Sequence, residues 1–416
     1  MSRKIVITKI NLNRTDLLLC GLMDDNRLIE ARLDRLPAQN EKEGACSFDS
    51  DRLFGGIFIG KVERIVKNLN AAFVEIAPGV SCYLTLERVS DPVMVTSHSP
   101  GRIVQDDELL VQVIRDAARG KAPAVSTNLN FTGRYAILST EKRVLGLSSK
   151  FDSATRSRFK KLLSGSLPEN CGLIVRTNAK HVTDEEILKE IRSLTNQMDQ
   201  VLSHAANRSC YSCLSSPKPV FLTYLQGAYL DDLEEVVTDI PLVYEALSCC
   251  REDYRDLSEI PLRLYEDDSF PLVSLYNLNR EMVRATQREV RLKSGGFLVI
   301  EPTEAMTVID VNTGKSTSGK DKQEHFVKIN HEASREIILQ LRLRNISGII
   351  VVDFIDLDDP KDRRELLEYI RHLAKSDPIP VQVHDITALN LVEITRKKAE
   401  KSLSEQIKQL TINAPL

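Results

Sequence analysis

Three residues in the last third of the chain have the types and spacing for metal-assisted chemistry. Asp310 and Asn312 lie two apart in Met306-Thr-Val-Ile-Asp-Val-Asn. On a strand they share one face, while Ile309 and Val311 take the other. Asp353 ends the apolar run Gly348-Ile-Ile-Val-Val-Asp, where a lone carboxylate is costly to desolvate. If the two strands are neighbours, both carboxylates meet at one sheet edge. Like charges held so close raise one another's pKa unless a cation sits between them, and hard oxygen donors favour magnesium or manganese. The spacing also allows each aspartate merely to cap the loop or helix after its strand. Asp356, Asp358 and Asp359 make that loop acidic, and Asp359-Pro360 has the form of a helix start.

The elements that must position these groups are legible from periodicity. Phe297-Leu-Val-Ile predicts a strand, and residues 321–343 an amphipathic helix with Phe326, Ile329, Ala333 and Ile337 as its inward stripe. The order strand, helix, strand predicts two parallel strands joined by a right-handed crossover, with catalytic groups near their carboxyl ends. A basic stretch from Arg284 to Lys293 leads into the turn Ser294-Gly295-Gly296. Towards the N-terminus, Lys4-Ile-Val-Ile-Thr and Asp16-Leu-Leu-Leu-Cys-Gly-Leu, with the turn signal Asp24-Asp25-Asn26, predict a β-meander. Ala38 to Asp49 is polar, as a linker would be. The spaced glycines of Gly55-Gly56-Ile-Phe-Ile-Gly then suit a small curved barrel. A mixed segment runs from Asn128 to His204, with a strand at Gly172-Leu-Ile-Val-Arg-Thr and a helix from Thr183 to Leu202 opened by the capping box Thr183 to Glu186. Residues 217–275 are mixed again, and there is no internal repeat.

At the end of that Gly172 strand, Arg176-Thr177 offers a guanidinium and a hydroxyl that can clamp a terminal phosphate, or simply an exposed strand end. The 416 residues, 42% hydrophobic and 28% charged, can bury several cores, and a net charge of -3 argues against wholesale adhesion to nucleic acid while leaving room for local basic patches. No signal-peptide pattern or membrane-spanning run is present, so a cytoplasmic location is expected. Eight cysteines then suggest thiols rather than a disulfide framework. Cys210, Cys213, Cys249 and Cys250 lack the glycine-rich knuckles of a zinc site, and structural zinc is not expected.

Thr303-Glu-Ala-Met-Thr-Val-Ile-Asp-Val-Asn-Thr-Gly, followed by Gln340-Leu-Arg-Leu-Arg-Asn-Ile-Ser-Gly-Ile-Ile-Val-Val-Asp-Phe-Ile-Asp, resembles the DNase I-like subdomain of the RNase E/G family. The resemblance extends through nearly the whole chain. It implies an α/β multidomain protein: an RNase H-like region from residues 1–50 and 217–283, an OB-type barrel of the ribosomal protein S-one kind over 51–127, a 5′-sensor region over 128–216, a DNase I-like catalytic subdomain over 284–400 and a tail over 401–416. The family's aspartates matching Asp310 and Asp353 bind Mg²⁺, with Mn²⁺ as a substitute, and the asparagine matching Asn312 supports the site. In the barrel, Asn70-Ala-Ala-Phe-Val-Glu and Cys82-Tyr-Leu-Thr-Leu match RNA-binding segments. Phe73 and Tyr83 correspond to aromatics that hold a base, and Lys121 to a lysine on RNA. Tyr83 replaces the usual phenylalanine yet keeps a ring for stacking. From the residues alone, Phe73 can equally be barrel core and Lys121 a solvated charge. The 5′-phosphate pocket corresponds to Gly133, Ile137, Arg176 and Thr177. Pro380 stands where the family has a second arginine, with Arg134 as a candidate replacement. The Cys-Pro-x-Cys-x-Gly zinc link between subunits has no counterpart, so any homo-oligomer would form without it.

The resemblance therefore implies an Mg²⁺-dependent endoribonuclease that cuts single-stranded, A/U-rich RNA to 5′-phosphate and 3′-hydroxyl ends, acting on rRNA precursors and mRNA. Two other readings stay open: a non-catalytic RNA-binding scaffold, or an Mg²⁺-dependent nuclease acting on other phosphodiesters.

Overall fold

Alternating buried and exposed positions build each sheet, and the runs buried on both sides become central strands. The computed structural model describes residues 3–37, 53–89, 91–117, 121–141, 144–164, 171–229, 232–267, 269–314 and 322–412. The linker expected at 38–49 lies outside the described residues, as do Asp321 and the last four positions. The chain is a mixed α/β protein dividing into two compact units, one of 1–37 with 230–416 and the other of 38–229.

In the first unit, strands Arg3–Leu12, Thr15–Asp24 and Arg27–Arg35 form the antiparallel meander that the sequence pattern predicts. Asn13, Arg14 and Asp25 take positive φ at its two tight turns. Leu233–Thr238 joins the Arg3–Leu12 strand in parallel, and Leu262–Leu264 pairs beyond it, completing a five-stranded sheet. Val6, Ile10, Leu17, Leu19 and Val237 pack on one face against Leu272, Leu278 and Met282.

A six-stranded sheet comes next, in the order Glu289–Arg291, Phe297–Pro302, Met306–Asn312, Gly348–Asp353, Leu391–Arg396, Val381–Ile386. Its two central strands are parallel, connected through the helix Lys322–Leu343. Ile329, Ala333 and Ile337 of that helix are buried, and Phe326 packs at the margin of the same core. A second helix, Pro360–Ala374, starts with Asp359 accepting a hydrogen bond from the Lys361 amide at 2.8 Å, as the Asp-Pro pair predicts. Leu366, Leu367 and Ile370 of this helix join Leu298, Ile300, Ile309, Ile350 and Val352 in one apolar core. Both helices thus bury one face of the sheet, and the alternate residues stand on the other.

In the second unit, strands Ile57–Val66, Ala71–Ala77, Val80–Thr85, Ala124–Ser126 and Glu108–Arg115 close into a five-stranded barrel through pairing of the first with the last, consistent with an OB-type barrel. Its core is Phe58, Val62, Ala72, Val74, Cys82, Leu84, Val111 and neighbours. The strands Asn130–Thr132, Ala136–Ser139, Gly172–Val175 and Leu145–Leu147 form a separate sheet. The helix Asp184–Ala205 starts with the full capping box, Thr183 and Glu186 each bonding the other's backbone.

Among the described residues, no helix is long and apolar enough to cross a membrane. The all-thiol expectation needs one correction: Cys213 is disulfide-bonded. It is therefore not a free thiolate for a zinc site with Cys210.

Candidate active site

On the Met306–Asn312 strand, Ile309 and Val311 point into the core, so Asp310 and Asn312 are held on the open face. On Gly348–Asp353, Ile350 and Val352 fill the core and Asp353 faces outward. The parallel register sets Asp310 directly beside Asp353. Asn312 donates from Nδ2 to Asp310 Oδ2 at 2.8 Å, which fixes that carboxylate's rotamer and leaves its second oxygen for another partner. Burial pushes the Asp353 carboxyl above the usual range, and the Asp310 and Asp356 charges add to the shift. A divalent cation between the two carboxylates relieves that repulsion. Among the described residues, no group of three or more His, Cys, Asp or Glu side chains converges. Two carboxylates suit Mg²⁺, which keeps most of its waters and substrate oxygens as ligands.

A close turn supports the site from the side. Gly314 has φ +75° and approaches Gly295, so a side chain there would collide with the Gly295 carbonyl. From the helix, Glu332 accepts the backbone amides of Lys293 and Ser294, tying this turn to the helix Lys322–Leu343.

In the barrel, Phe73 alternates with the core residues Ala72 and Val74, and Tyr83 with Cys82 and Leu84. Phe73 is thus outside the core. Register aligns Arg64, Phe73, Tyr83 and Ala124 across four strands. The Phe73 and Tyr83 rings meet edge to face, centroids 6.0 Å apart, and the Arg64 guanidinium lies 4.4 Å over the Phe73 ring. Lys121 is exposed just before the strand that pairs with Tyr83.

Arg176 Nη1 donates to the Gly133 carbonyl at 2.5 Å, and the Thr177 hydroxyl bonds that of Ser148 at 2.8 Å. Ile137 pairs with Ile174, which is 47% exposed beside Arg176. The four candidate sensor residues therefore lie on one sheet and its adjoining turn. Gly133 has a steric reason of its own: a Cβ there would strike the Glu190 carboxylate, which accepts the amides of Arg134, Tyr135 and Ala136 at 2.6–2.9 Å. Pro380 is exposed next to the strand Val381–Ile386, in the other unit.

A model described as the Ribonuclease E/G family matches residues 130–399. The chain belongs to that family. It is 30% identical over 366 residues to Ribonuclease G of Escherichia coli (strain K12), covering 84% of this chain and 74% of that protein. Ribonuclease E of Synechocystis sp. is 32% identical over 360 residues, 84% of this chain and 53% of that protein. Ribonuclease E of Haemophilus influenzae is 29% identical over 409 residues, 95% and 42%. The chain thus spans about half the length of these Ribonuclease E relatives.

Within this Ribonuclease E/G chain, one candidate role is corrected. Arg134 is 1% exposed, and its Nη1 donates to the carbonyls of Leu225, Gln226 and Ala228. A guanidinium buried in this way is not open to a phosphate, so Arg134 is not the candidate replacement that the sequence suggested. Sequence reasoning missed Arg64, Ser148 and Glu190. Arg64 lies two residues from the core residue Val62, and only a bulge between them turns it to the opposite face, so simple alternation would have placed it inward. Ser148 and Glu190 carried no signal, since only strand pairing and helix docking bring them to Thr177 and Gly133.

Proposed function

We propose that this chain is an endoribonuclease that hydrolyses single-stranded RNA with Mg²⁺ held by Asp310 and Asp353. The in-register carboxylate pair carries the proposal, supported by family membership and by the half-buried aromatic pair outside the barrel core. When bound, the metal supplies a water activated at neutral pH and neutralises charge on the phosphodiester; Mn²⁺ is a possible substitute. Asp310 and Asp353 supply the anionic oxygens, and Asn312 holds Asp310 in the orientation that presents them. In-line attack leaves a 5′-phosphate and a 3′-hydroxyl. In this reading the six-stranded sheet with its helices is DNase I-like. The five-stranded sheet is RNase H-like, and the sheet with Arg176 is a 5′-end sensor. The substrates we propose are unpaired, A/U-rich stretches of rRNA precursors and mRNA in the cytoplasm. The deciding experiment is incubation of an unpaired oligoribonucleotide with protein and Mg²⁺ or EDTA, followed by end mapping. Metal-dependent internal cuts with 5′-phosphates are expected, and cleavage insensitive to EDTA would refute the metal assignment.

Phe73 and Tyr83 present ring faces to a base, and Lys121 a cation to the backbone. Phe73→Ala is expected to weaken single-stranded RNA binding by roughly 1–3 kcal/mol, the worth of one stacked base, while denaturant unfolding stays cooperative. Fluorescence anisotropy on folded protein checks this; unchanged affinity would remove Phe73 from the RNA surface.

Arg176, Thr177 and the half-buried Ile137 suit a terminal phosphate, whose anionic oxygens outnumber those of an internal diester. Arg176→Ala is expected to cut the preference for 5′-monophosphorylated over 5′-hydroxyl RNA by about ten-fold, since one charge-assisted hydrogen bond contributes roughly 1.5–3 kcal/mol. Parallel cleavage assays on the two RNAs decide it, and equal rates for wild type on both would sink the sensor. With Pro380 in place of an arginine, the wild-type preference should be smaller than in relatives that have both cations.

A further inference from the structure

The open face of the six-stranded sheet can be mapped residue by residue from its register. Leu298 and Ile300 fill the core, 0% and 3% exposed, so Phe297 and Val299 stand on the opposite face. Val299 pairs with Asp310 and Phe297 with Asn312, while Arg291 pairs with Phe297 on the outer side. Asp310 pairs with Asp353 on the other side. One row of the face therefore runs Val299, Asp310, Asp353, and the next runs Arg291, Phe297, Asn312. Adjacent rows on one face are in side-chain reach, as the bond from Asn312 Nδ2 to Asp310 Oδ2 at 2.8 Å demonstrates. Phe297 is half-buried, with no place in the core beneath the sheet. Arg291 is 88% exposed and holds only a 3.4 Å pair with the exposed Glu289, a loose contact that a phosphate can displace.

The geometry points to a nucleobase subsite on this face: Phe297, backed by Val299, stacks the base of a nucleotide flanking the cleaved bond, and Arg291 meets the phosphate beyond it. The inference rests on the reading that Asp310 and Asp353 hold the metal, because only that reading puts a scissile phosphate one row away. A ring on the solvent side of a sheet offers a flat apolar surface, and any base can stack on it regardless of identity. The cation beside it favours a polyanionic strand over a neutral ligand. The subsite is thus a positioning device, aligning the scissile phosphate against the carboxylates rather than contributing a reacting atom.

The test is a double cycle between protein and substrate. Wild type, Phe297→Ala, Phe297→Leu and Phe297→Tyr are assayed on an oligoribonucleotide with a single cleavage site, and on two versions carrying an abasic residue on either side of the cut. For wild type, one of the two abasic versions is expected to lose about ten-fold in kcat/KM. Phe297→Ala and Phe297→Leu should show that loss on the intact substrate and no further loss on the abasic one, and Phe297→Tyr should behave as wild type. Mn²⁺ affinity by calorimetry should be the same in all four proteins. The subsite is overturned if the leucine variant retains the parental kcat/KM, or if the abasic penalty persists at full size without the ring. Failure of the metal reading appears separately, as a wild type that binds no Mn²⁺ or an Asp310→Asn variant that still cleaves, and would remove the subsite with it.

Discussion

Asp310→Asn and Asp353→Asn are each expected to reduce cleavage of single-stranded RNA on the order of a thousand-fold, while RNA binding by the folded protein changes little. Losing a metal ligand forfeits several kcal/mol of charge stabilisation, and each 1.36 kcal/mol is a factor of ten in rate. The substitution keeps the side chain's shape, so the register of Asp310 beside Asp353 and the packing of Ile309 and Val352 beneath them should survive. Single-turnover cleavage together with anisotropy separates the two effects, and a variant cleaving at the parental rate would refute the assignment. The pH dependence has a definite sign. Burial, with the Asp310 and Asp356 charges, raises the Asp353 carboxyl above its ordinary value. Metal binding needs it ionised, so apparent Mg²⁺ affinity should fall with decreasing pH, starting above the range of an ordinary carboxylate. Raising Mg²⁺ should shift the acid limb of the rate profile to lower pH.

Asp377→Ala is expected to destabilise the unit containing it by about 3–5 kcal/mol, because it strands a buried arginine. Arg396 and Asp377 are 1% and 0% exposed, paired at 2.9 Å beside the six-stranded sheet. Arg396 Nη1 also donates to Asn345 Oδ1 and to the Ile346 carbonyl, so the guanidinium ties the end of the long helix to the strand Leu391–Arg396. Replacing both ion-pair partners by apolar residues should cost less than the single change, since no charge is then left unpaired. Denaturant midpoints of single and double variants check this, and a loss below about 1 kcal/mol for Asp377→Ala would show that water or another acceptor serves Arg396.

Much of the scaffold around the candidate site was legible because it is written locally. The alternation of Met306–Asn312, the inward stripe of Lys322–Leu343, the Asp359-Pro360 start and the Thr183 capping box each involve neighbours within a few residues, and each forms as the pattern implies. What escaped depends on partners distant in sequence. That Asp310 sits level with Asp353, rather than a row away, is set by pairing across 43 positions, given directly by the register. Gly133 could be singled out only by resemblance, since its constraint is the carboxylate of Glu190 on another element. Arg134 illustrates the opposite error: an arginine next to a candidate pocket is expected to face solvent, yet three carbonyls near the end of a short helix draw it inside. Phe297 looked like one more apolar strand residue until its neighbours were known.

The first unit is assembled from two stretches of chain, with the whole second unit between them. The strand Arg3–Leu12 finds its parallel partner only at Leu233–Thr238. During synthesis at about 5–20 residues per second, the N-terminal meander must therefore wait roughly 10–40 s for that partner to be made. Throughout that interval the edge of Arg3–Leu12 is unpaired, and Leu17, Leu19 and Val6 lack the helices that later cover them. The inserted unit is continuous in sequence and can complete itself first. Vectorial translation thus leaves the meander exposed for that interval, as an edge open to a holdase chaperone or to another nascent chain. In a circular permutant beginning near Leu230, Leu233–Thr238 would be made before the meander, which would then find its parallel partner already present.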